Sequence, residues 1–487
     1  MSGFARTGAL VLLSGALVLG LAACGGTTES ASTGGASIVP AGVPAFLALD
    51  ADPASSQWKT LEQLAAKFPD ERGALAHAKQ ELQKQGLDWD HDVRPALGSE
   101  LDLVLLDLDD GGRNAVGLLQ PDDDGAFDRV VQQANAKGGS KIVYDDFRGW
   151  KVLAETQALI DRFESMSDAA QGTLDQDASF RSAMSSTPAD ALVKAYVDGR
   201  KVMSKLDASV GADQQKFVQD LGSLDWAALS LAAKPDGIGF DTTVHGTPGS
   251  LFGPGKTGRP FTARLPATAP GDAVLYYTFH GAGGIFSKLD QSAAFGARLG
   301  PLRDVLGRIG SLLDGENAVY VRPPASGRLP EVTLVTEPKQ GVSGRATLDH
   351  ILAGYRKQLG VVPRHGTVAG TPASTLELGK VRLSWADVGG RFVISDLPSG
   401  IAAVKSPGRP LADSATFRQA VQTAGMPART HGFLYVDVRA GTGLVEKLSG
   451  TKLPAAVSRN LKPLRSALEY AVSHQHQLSV RLFLQIR

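Results

Sequence analysis

Apolar positions along this chain follow two rhythms, one helical and one strand-like, in an order that occurs twice. A continuous apolar strand at 45–49 comes first. Behind it Trp58, Leu61, Leu64, Ala65 and Phe68 recur at three and four residues, the spacing of one helix face. Ser55-Ser56 supply N-cap chemistry, with Ser56 expected as the cap and Lys59 on the exposed side. A second helix is predicted over 73–85, stopped by Gly86. The pattern then alternates at 101–106 and 115–119 around Asp109-Asp110-Gly111-Gly112, which reads as a β-hairpin. A helix over 127–136, strands with turns at Asp145-Asp146 and Arg148-Gly149, two short helices and a closing hairpin (227–232 with 239–245) complete the unit.

A second unit repeats these signals. Val39-Pro40-Ala41-Gly42-Val43-Pro44 is answered by Leu265-Pro266-Ala267-Thr268-Ala269-Pro270, and Leu97-Gly98-Ser99-Glu100 by Leu313-Asp314-Gly315-Glu316. Asp177-Ala178-Ser179-Phe180-Arg181-Ser182-Ala183 is answered, with one residue of slack, by Asp413-Ser414-Ala415-Thr416-Phe417-Arg418-Gln419-Ala420, and Tyr196-Val197-Asp198 matches Tyr435-Val436-Asp437. A second apolar strand is expected at 273–278, and a closing hairpin at 467–473 and 478–486. Strands that return through short loops argue for an antiparallel sheet. The expected fold is therefore α+β: two tandem copies, at 38–245 and 265–487, of a mainly antiparallel sheet with helices packed on one face, joined by a Gly/Pro linker at 246–264.

The N-terminus carries a different pattern. A fifteen-residue apolar run starts at Ala9 behind Arg6 and closes on Leu21-Ala22-Ala23-Cys24. It is shorter than the roughly 20 residues that span a bilayer, and it fits a signal peptide over 1–23. Cys24 is the only cysteine of the 487 residues, so the folded part has no disulfide or thiolate chemistry. Its place after Leu-Ala-Ala resembles the lipobox of bacterial lipoproteins, which implies an acyl anchor on Cys24. The small polar residues that follow read as a flexible tether over 24–37. Net charge is zero, yet 38–245 hold 34 acidic and 20 basic residues, whereas 246–487 hold 15 and 29. The halves thus carry opposite sign, which bears on how they meet each other or an anionic surface.

The Pro-Ala-x-x-Pro opening, the Trp58 helix ending in Lys67-Phe68-Pro69, and Asp92-Val93-x-Pro95-x-Leu97-Gly98-x-Glu100 together resemble an uncharacterised family of bacterial lipoproteins, domain of unknown function three-three-five-two. The resemblance implies an extracytoplasmic lipoprotein and brings no catalytic residues with it.

Motif chemistry is sparse. Lys256-Thr257-Gly258 follows a Gly-rich stretch, but Ser250 stands where a phosphate-binding loop needs its first glycine, and Arg259-Pro260 oppose a helix start. Ser56-Gln57-Trp58-Lys59 has the Ser-x-x-Lys spacing of serine acyl-transferases, while Ser458-Arg459-Asn460 comes in the wrong order to complete that set. His474-Gln475-His476 lacks a neighbouring carboxylate for a metal. Asp107-Leu108-Asp109-Asp110 and Asp122-Asp123-Asp124 lack the spacing of a calcium loop and read as a turn and a helix start. Asp198 and Asp437 read as helix caps. The expectation is a protein of the cell envelope held on the extracytoplasmic face of the membrane. It acts as a non-enzymatic binding or scaffold protein with an unknown envelope ligand or protein partner, no cofactor, no metal and no nucleic acid. The alternatives are a carrier of a lipid or other apolar molecule, and an envelope hydrolase whose residues come from distant segments.

Overall fold

A computed structural model describes residues 33–136, 141–211, 223–247, 259–281, 303–323, 329–355, 362–378, 381–474 and 477–487. The chain is a mixed α/β protein built on antiparallel sheet and divides into two compact units. One comprises Met1–Lys256 with 474–481 and 486–487, and the other Thr257–Ser473 with 482–485.

Strands of the first unit are β1 (Ala45–Asp50), β2 (Glu100–Leu105), β3 (Ala115–Leu119), β4 (Val143–Phe147), β5 (Trp150–Ala154), β6 (Val193–Asp198), β7 (Leu224–Lys234) and β8 (Gly237–Gly246). Their order across the sheet is β8-β7-β6-β1-β2-β3-β5-β4, with antiparallel neighbours throughout. β1 is therefore central. Its apolar run is unbroken because both of its faces are covered, the usual reason a strand loses alternation. Phe46 and Ala48 pack with Val104, Tyr196 and the helices Gln157–Ala169 and Ala178–Ser185. Leu47 and Leu49 pack on the other side with Trp58 and Leu61 of the helix Ser56–Ala65. Helices thus lie on both faces of the sheet, not on the one face expected from sequence.

Two local expectations are also corrected. Ser55, not Ser56, caps the first helix by accepting from Trp58 N at 3.3 Å. Asp145 and Asp146 lie inside β4, and the hairpin turns only at Arg148-Gly149, both at positive φ (50° and 83°), as a type I′ turn requires.

An arm precedes β1. Gly34–Ser37 form one 3-10 turn with Gly35 and Ala36 buried, and Ile38 and Val39 enter the core. The arm is stitched to the loop before Leu174 by Ala41 N to Gly172 O at 3.0 Å and Leu174 N to Val39 O at 2.8 Å. Residues 34–37 therefore belong to the fold, although their small size and polarity read as the end of the tether. Their smallness is what lets the backbone lie against the sheet.

The second unit contains β9 (Leu275–His280), β10 (Glu316–Arg322), β11 (Glu331–Thr336), β12 (Arg364–Val368), β13 (Thr371–Leu378), β14 (Val381–Val388), β15 (Arg391–Ser395), β16 (Gly432–Asp437) and β17 (Leu464–His474). Its order is β17-β16-β9-β10-β11-β15-β14-β13-β12. A final strand, β18 (Gln477–Ile486), has residues in both units. Tyr276, Tyr320, Tyr435 and Tyr470 fill the main core with Phe417 and Phe433. An arm again precedes the first strand, with the 3-10 turn Leu265–Ala267 and the bonds Gly271 N to Arg409 O and Leu411 N to Ala269 O, both 2.8 Å.

Candidate functional site

Three places in the fold bring chemistry together: a buried polar cluster, an apolar cavity and a Ser-His-Asp group. The polar cluster lies under the first arm. β2 places Glu100 and Asp102 on one face, β1 sets Asp50 opposite Glu100 and Ala48 opposite Asp102, and β6 sets Lys194 opposite Ala48. All four polar side chains are buried, Asp102 completely. Glu100 accepts from Gly34 N at 3.2 Å and Gly35 N at 3.4 Å, which fastens the arm to the sheet. Burial pushes the Glu100 carboxyl above its ordinary range. Asp102 is raised well above it, first by burial and then by the charge of Glu100. Burial also lifts Asp50 to about 6, although Ser55 and the Asp52 backbone partly offset this. Lys194 donates to Ala189 O at 2.9 Å and is lowered by burial. In the second unit Glu316 accepts from Arg264 N at 2.7 Å and Leu265 N at 3.0 Å, so it holds that arm as Glu100 holds the first. There the row carries Ala318 opposite Thr278, and Phe433 beyond it, without a second carboxyl or an amine. The shared glutamate is thus a clamp, and the additional charges belong to the first unit alone.

The apolar cavity also lies in the first unit, on the opposite face of β2. It has a volume of about 70 Å³ and is walled by Leu87, Val93 and Leu97 on one side and Leu119, Phe127 and Leu153 on the other. These walls belong to two separate apolar clusters, one around Trp89 and one around Phe127, with Leu101 and Val130 touching both. Leu82, from the helix Glu71–Lys84, closes a third side. Leu87 and Gln133 also border a cleft of about 290 Å³ that contains Asp92 and Arg129, paired at 2.9 Å.

A Ser-His-Asp group in the second unit was not evident from the sequence. Ser374 Oγ donates to Asp349 Oδ2 at 2.9 Å, His365 Nδ1 lies 3.1 Å from Ser374 Oγ and 3.8 Å from Asp349 Oδ2, and Trp385 Nε1 donates to Asp349 Oδ1 at 2.9 Å. A catalytic triad needs the histidine between acid and hydroxyl, one ring nitrogen on each. Here the same nitrogen faces both, the serine bonds the aspartate directly, and Ser374 is completely buried. This geometry ties β12 and β13 to the helix Gly344–Gly354 and exposes no nucleophile.

The residues singled out in the sequence fall as follows. Cys24 and Lys256-Thr257-Gly258 lie outside the described residues, as do Gln475 and His476. Asp198 Oδ1 accepts from Arg200 N at 3.0 Å and Asp437 Oδ1 from Ala440 N at 2.9 Å, so both are helix caps. Asp123 Oδ1 accepts from Ala126 N at 2.8 Å at a helix start. Asp107 is engaged by Arg162 at 2.5 Å and by Asn114, and Asp109 by Lys205 at 2.5 Å, in an open cleft of about 630 Å³ where Lys201 donates to Gly42 O. Among the described residues no group of His, Cys, Asp and Glu could hold a metal, and no helix is long and apolar enough to cross a membrane.

With this geometry in view, residues 6–161 match the model of a family described as protein of unknown function (DUF3352). The resemblance to this domain family carried by the Trp58 helix and the Asp92–Glu100 motif is therefore borne out over residues 6–161, while the match does not bear on a lipoprotein character. No curated protein matches it. Among solved structures, crystal forms IV and III of TP0453 align at 16% and 15% identity over 46% of this chain and 92% and 93% of theirs. Their TM-scores of 0.26 and 0.24 are too low to bear on the fold.

Proposed function

We propose that this chain is an extracytoplasmic binding or scaffold protein of the bacterial cell envelope, tethered to the membrane by acyl groups on Cys24 and built from two copies of one α+β unit. The observation that carries the reading is the clamped arm. Gly34 and Gly35 are bonded to Glu100 in the first unit, so at most nine residues separate Cys24 from the clamped arm. An extended chain reaches at most ~3.3–3.6 Å per residue, so ten steps from Cys24 to Gly34 allow roughly 35 Å. A body on so short a tether works at the membrane surface, on a lipid or on a partner that is itself held there. Duplication is supported by the two strand orders, in which β8-β7-β6-β1-β2-β3-β5-β4 runs parallel to a second series extended by the hairpin β12–β13. It is supported further by a glutamate clamp on each arm.

Fractionation tests the anchor. With Cys24→Ala the protein should move from the membrane to the soluble fraction and lose the acyl mass from its N-terminal peptide. Retention on the membrane with an unchanged peptide mass would overturn the reading. Among the alternatives, the carrier is favoured by the apolar cavity, whereas the hydrolase draws no support from a Ser374 that is buried and bonded to Asp349.

A further inference from the structure

The two helices between β16 and β17 leave a basic and apolar surface uncovered, and we infer that this surface, over residues 438–463, lies against the headgroup region of an anionic phospholipid membrane. This deepens the tethered reading, on which it rests, by naming the face of the second unit that meets the lipid. Three observations support it.

The first is exposed apolar area on regular helices. The helix Val438–Ser449 starts on the Asp437 cap and ends at Gly450, in the left-handed region at φ 68°. Leu444, Val445 and Leu448 lie on one side of it, at the spacing of a helix face. A surface helix normally turns such a stripe into the core. Here only Leu444 is buried, and Val445 and Leu448 are 51% and 39% exposed. The next helix, Ala455–Leu461, buries no residue, and its Val457 is 45% exposed. Single exposed apolar side chains are ordinary, whereas a stripe left in water on two successive helices marks a contact face.

The second is charge. Residues 438–463 hold five basic residues, Arg439, Lys447, Lys452, Arg459 and Lys462, all exposed, and one acid, Glu446. Glu446 pairs with Lys452 at 2.9 Å and accepts from Leu453 N at 3.1 Å, which fastens the loop between the helices to the first of them. Apolar side chains set among outward cations are the composition of helices that lie in a membrane interface, where the apolar groups enter the acyl boundary and the cations meet lipid phosphates. A protein partner fits less well. Protein interfaces favour aromatic residues and Met and disfavour Lys, and this stretch has three lysines, no aromatic residue and no Met.

The third is the contrast with the helix Gly199–Ser209, which follows β6 as the helix Val438–Ser449 follows β16. Its cations turn to the protein: Lys201 donates to Gly42 O and Lys205 pairs with Asp109 at 2.5 Å. Residues 199–223 hold four basic and three acidic residues, close to balance. A helix in this position therefore needs no surplus of positive charge, and the surplus at 438–463 suits a surface outside the unit. Such a contact is weak alone, but an acyl tether raises the local concentration and makes a weak contact sufficient.

Flotation of residues 25–487, which lack both the apolar run and Cys24, tests the surface independently of the anchor. The probes are vesicles of equimolar phosphatidylglycerol and phosphatidylcholine, and vesicles of phosphatidylcholine alone. Binding to the anionic vesicles is expected to be about tenfold stronger or more, and to vanish in 1 M salt, where the screening length falls to about 3 Å. Lys447→Gln/Lys452→Gln/Lys462→Gln should weaken it about a hundredfold, at roughly fivefold per cation. Val445→Gln/Leu448→Gln should weaken it about tenfold through lost apolar burial. Both variants should keep the unfolding midpoint of the parent, because every replaced side chain is exposed. Absence of binding, equal binding to both vesicles, or unchanged binding in either folded variant would overturn the surface. So would self-association of the chain that Val445→Gln/Leu448→Gln abolishes, which would give the face to a second copy. A salt wash keeps the anchor separate, since 1 M salt strips this contact and leaves acyl chains in place. Cys24→Ala protein that stays on the membrane after the wash would overturn the anchor and leave the surface standing. Failed flotation, with Cys24→Ala protein lost to the soluble fraction, would overturn the surface and leave the anchor.

Discussion

Asp102 shows how a residue can be read correctly in period and wrongly in direction. Leu101-Asp102-Leu103-Val104 alternates as a half-buried strand should, and alternation assigns the aspartate to water. The polar face is instead the one covered, because the arm lies over it and Gly35 presses its backbone against the carboxyl. A methyl at Gly35 would overlap Asp102 Oδ2. Gly35→Ala is thus expected to destabilise the first unit by about 1–3 kcal/mol, the usual range for overpacking, and to speed proteolysis between residues 33 and 44. Chemical denaturation and a timed digest check both. Asp50 offers a pH signature. Its folded pKa of about 6 lies above the ordinary 3.8, so the folded chain holds that proton more tightly than the unfolded one. Stability from this group is complete below pH 4 and is lost as pH rises through 6. Asp50→Asn should therefore stabilise the protein by about 1–3 kcal/mol at pH 7.5 and change little at pH 4. Equal effects at both pH values would contradict the assignment. The caps at Asp198 and Asp437 were legible for the opposite reason, since a cap depends on neighbours in sequence and a buried cluster depends on strands brought together from residues 50, 102 and 194.

Elements were legible where their cause is local. The helix with Trp58, the hairpin from β2 to β3 and the hairpin from β7 to β8 follow from spacing and turn residues, and they form near their expected limits. What was missed is which layers they join. The unbroken run in β1 already signalled two covered faces, but alternation in the neighbouring strands suggested one, and the covering arm has no periodic signature at all. Trp58 is the pin of the second layer. Its ring lies against Leu49 and Leu192, and its Nε1 donates to Asp50 O at 2.8 Å. Trp58→Ala should cost about 3–5 kcal/mol, as large aromatic truncations in cores do, and lower the unfolding midpoint accordingly. A loss under 1 kcal/mol would mean that the helix Ser56–Ala65 adds little to that face.

At the level of the whole chain, the proposed duplication rests on sequence signals that recur in one order, whereas the hairpin β12–β13 and the Ser374 group have no counterpart among the described residues of the first unit to reveal them. If the units are copies, their arms should respond alike to loss of the clamp. Glu100→Ala and Glu316→Ala each remove the carboxylate acceptor of two backbone N–H groups, and a lost buried acceptor costs about 1–3 kcal/mol. Limited proteolysis should then open residues 33–44 in the first variant and 260–272 in the second, with additive losses in the double variant because the two sites share no partner. Cuts confined to one arm in both variants would argue against equivalent clamps. The first clamp also decides how mechanical load enters the molecule. If Cys24 carries the acyl anchor proposed above, force on it would reach the described fold at Gly34, next to Glu100 of β2, and continue into β1, which has a bonded neighbour on each side. Tension directed along these strands loads two ladders in shear, so many hydrogen bonds resist together, where an edge strand would be peeled away bond by bond. A protein tethered through such an arm would withstand a pull on its N-terminus without unravelling from that end.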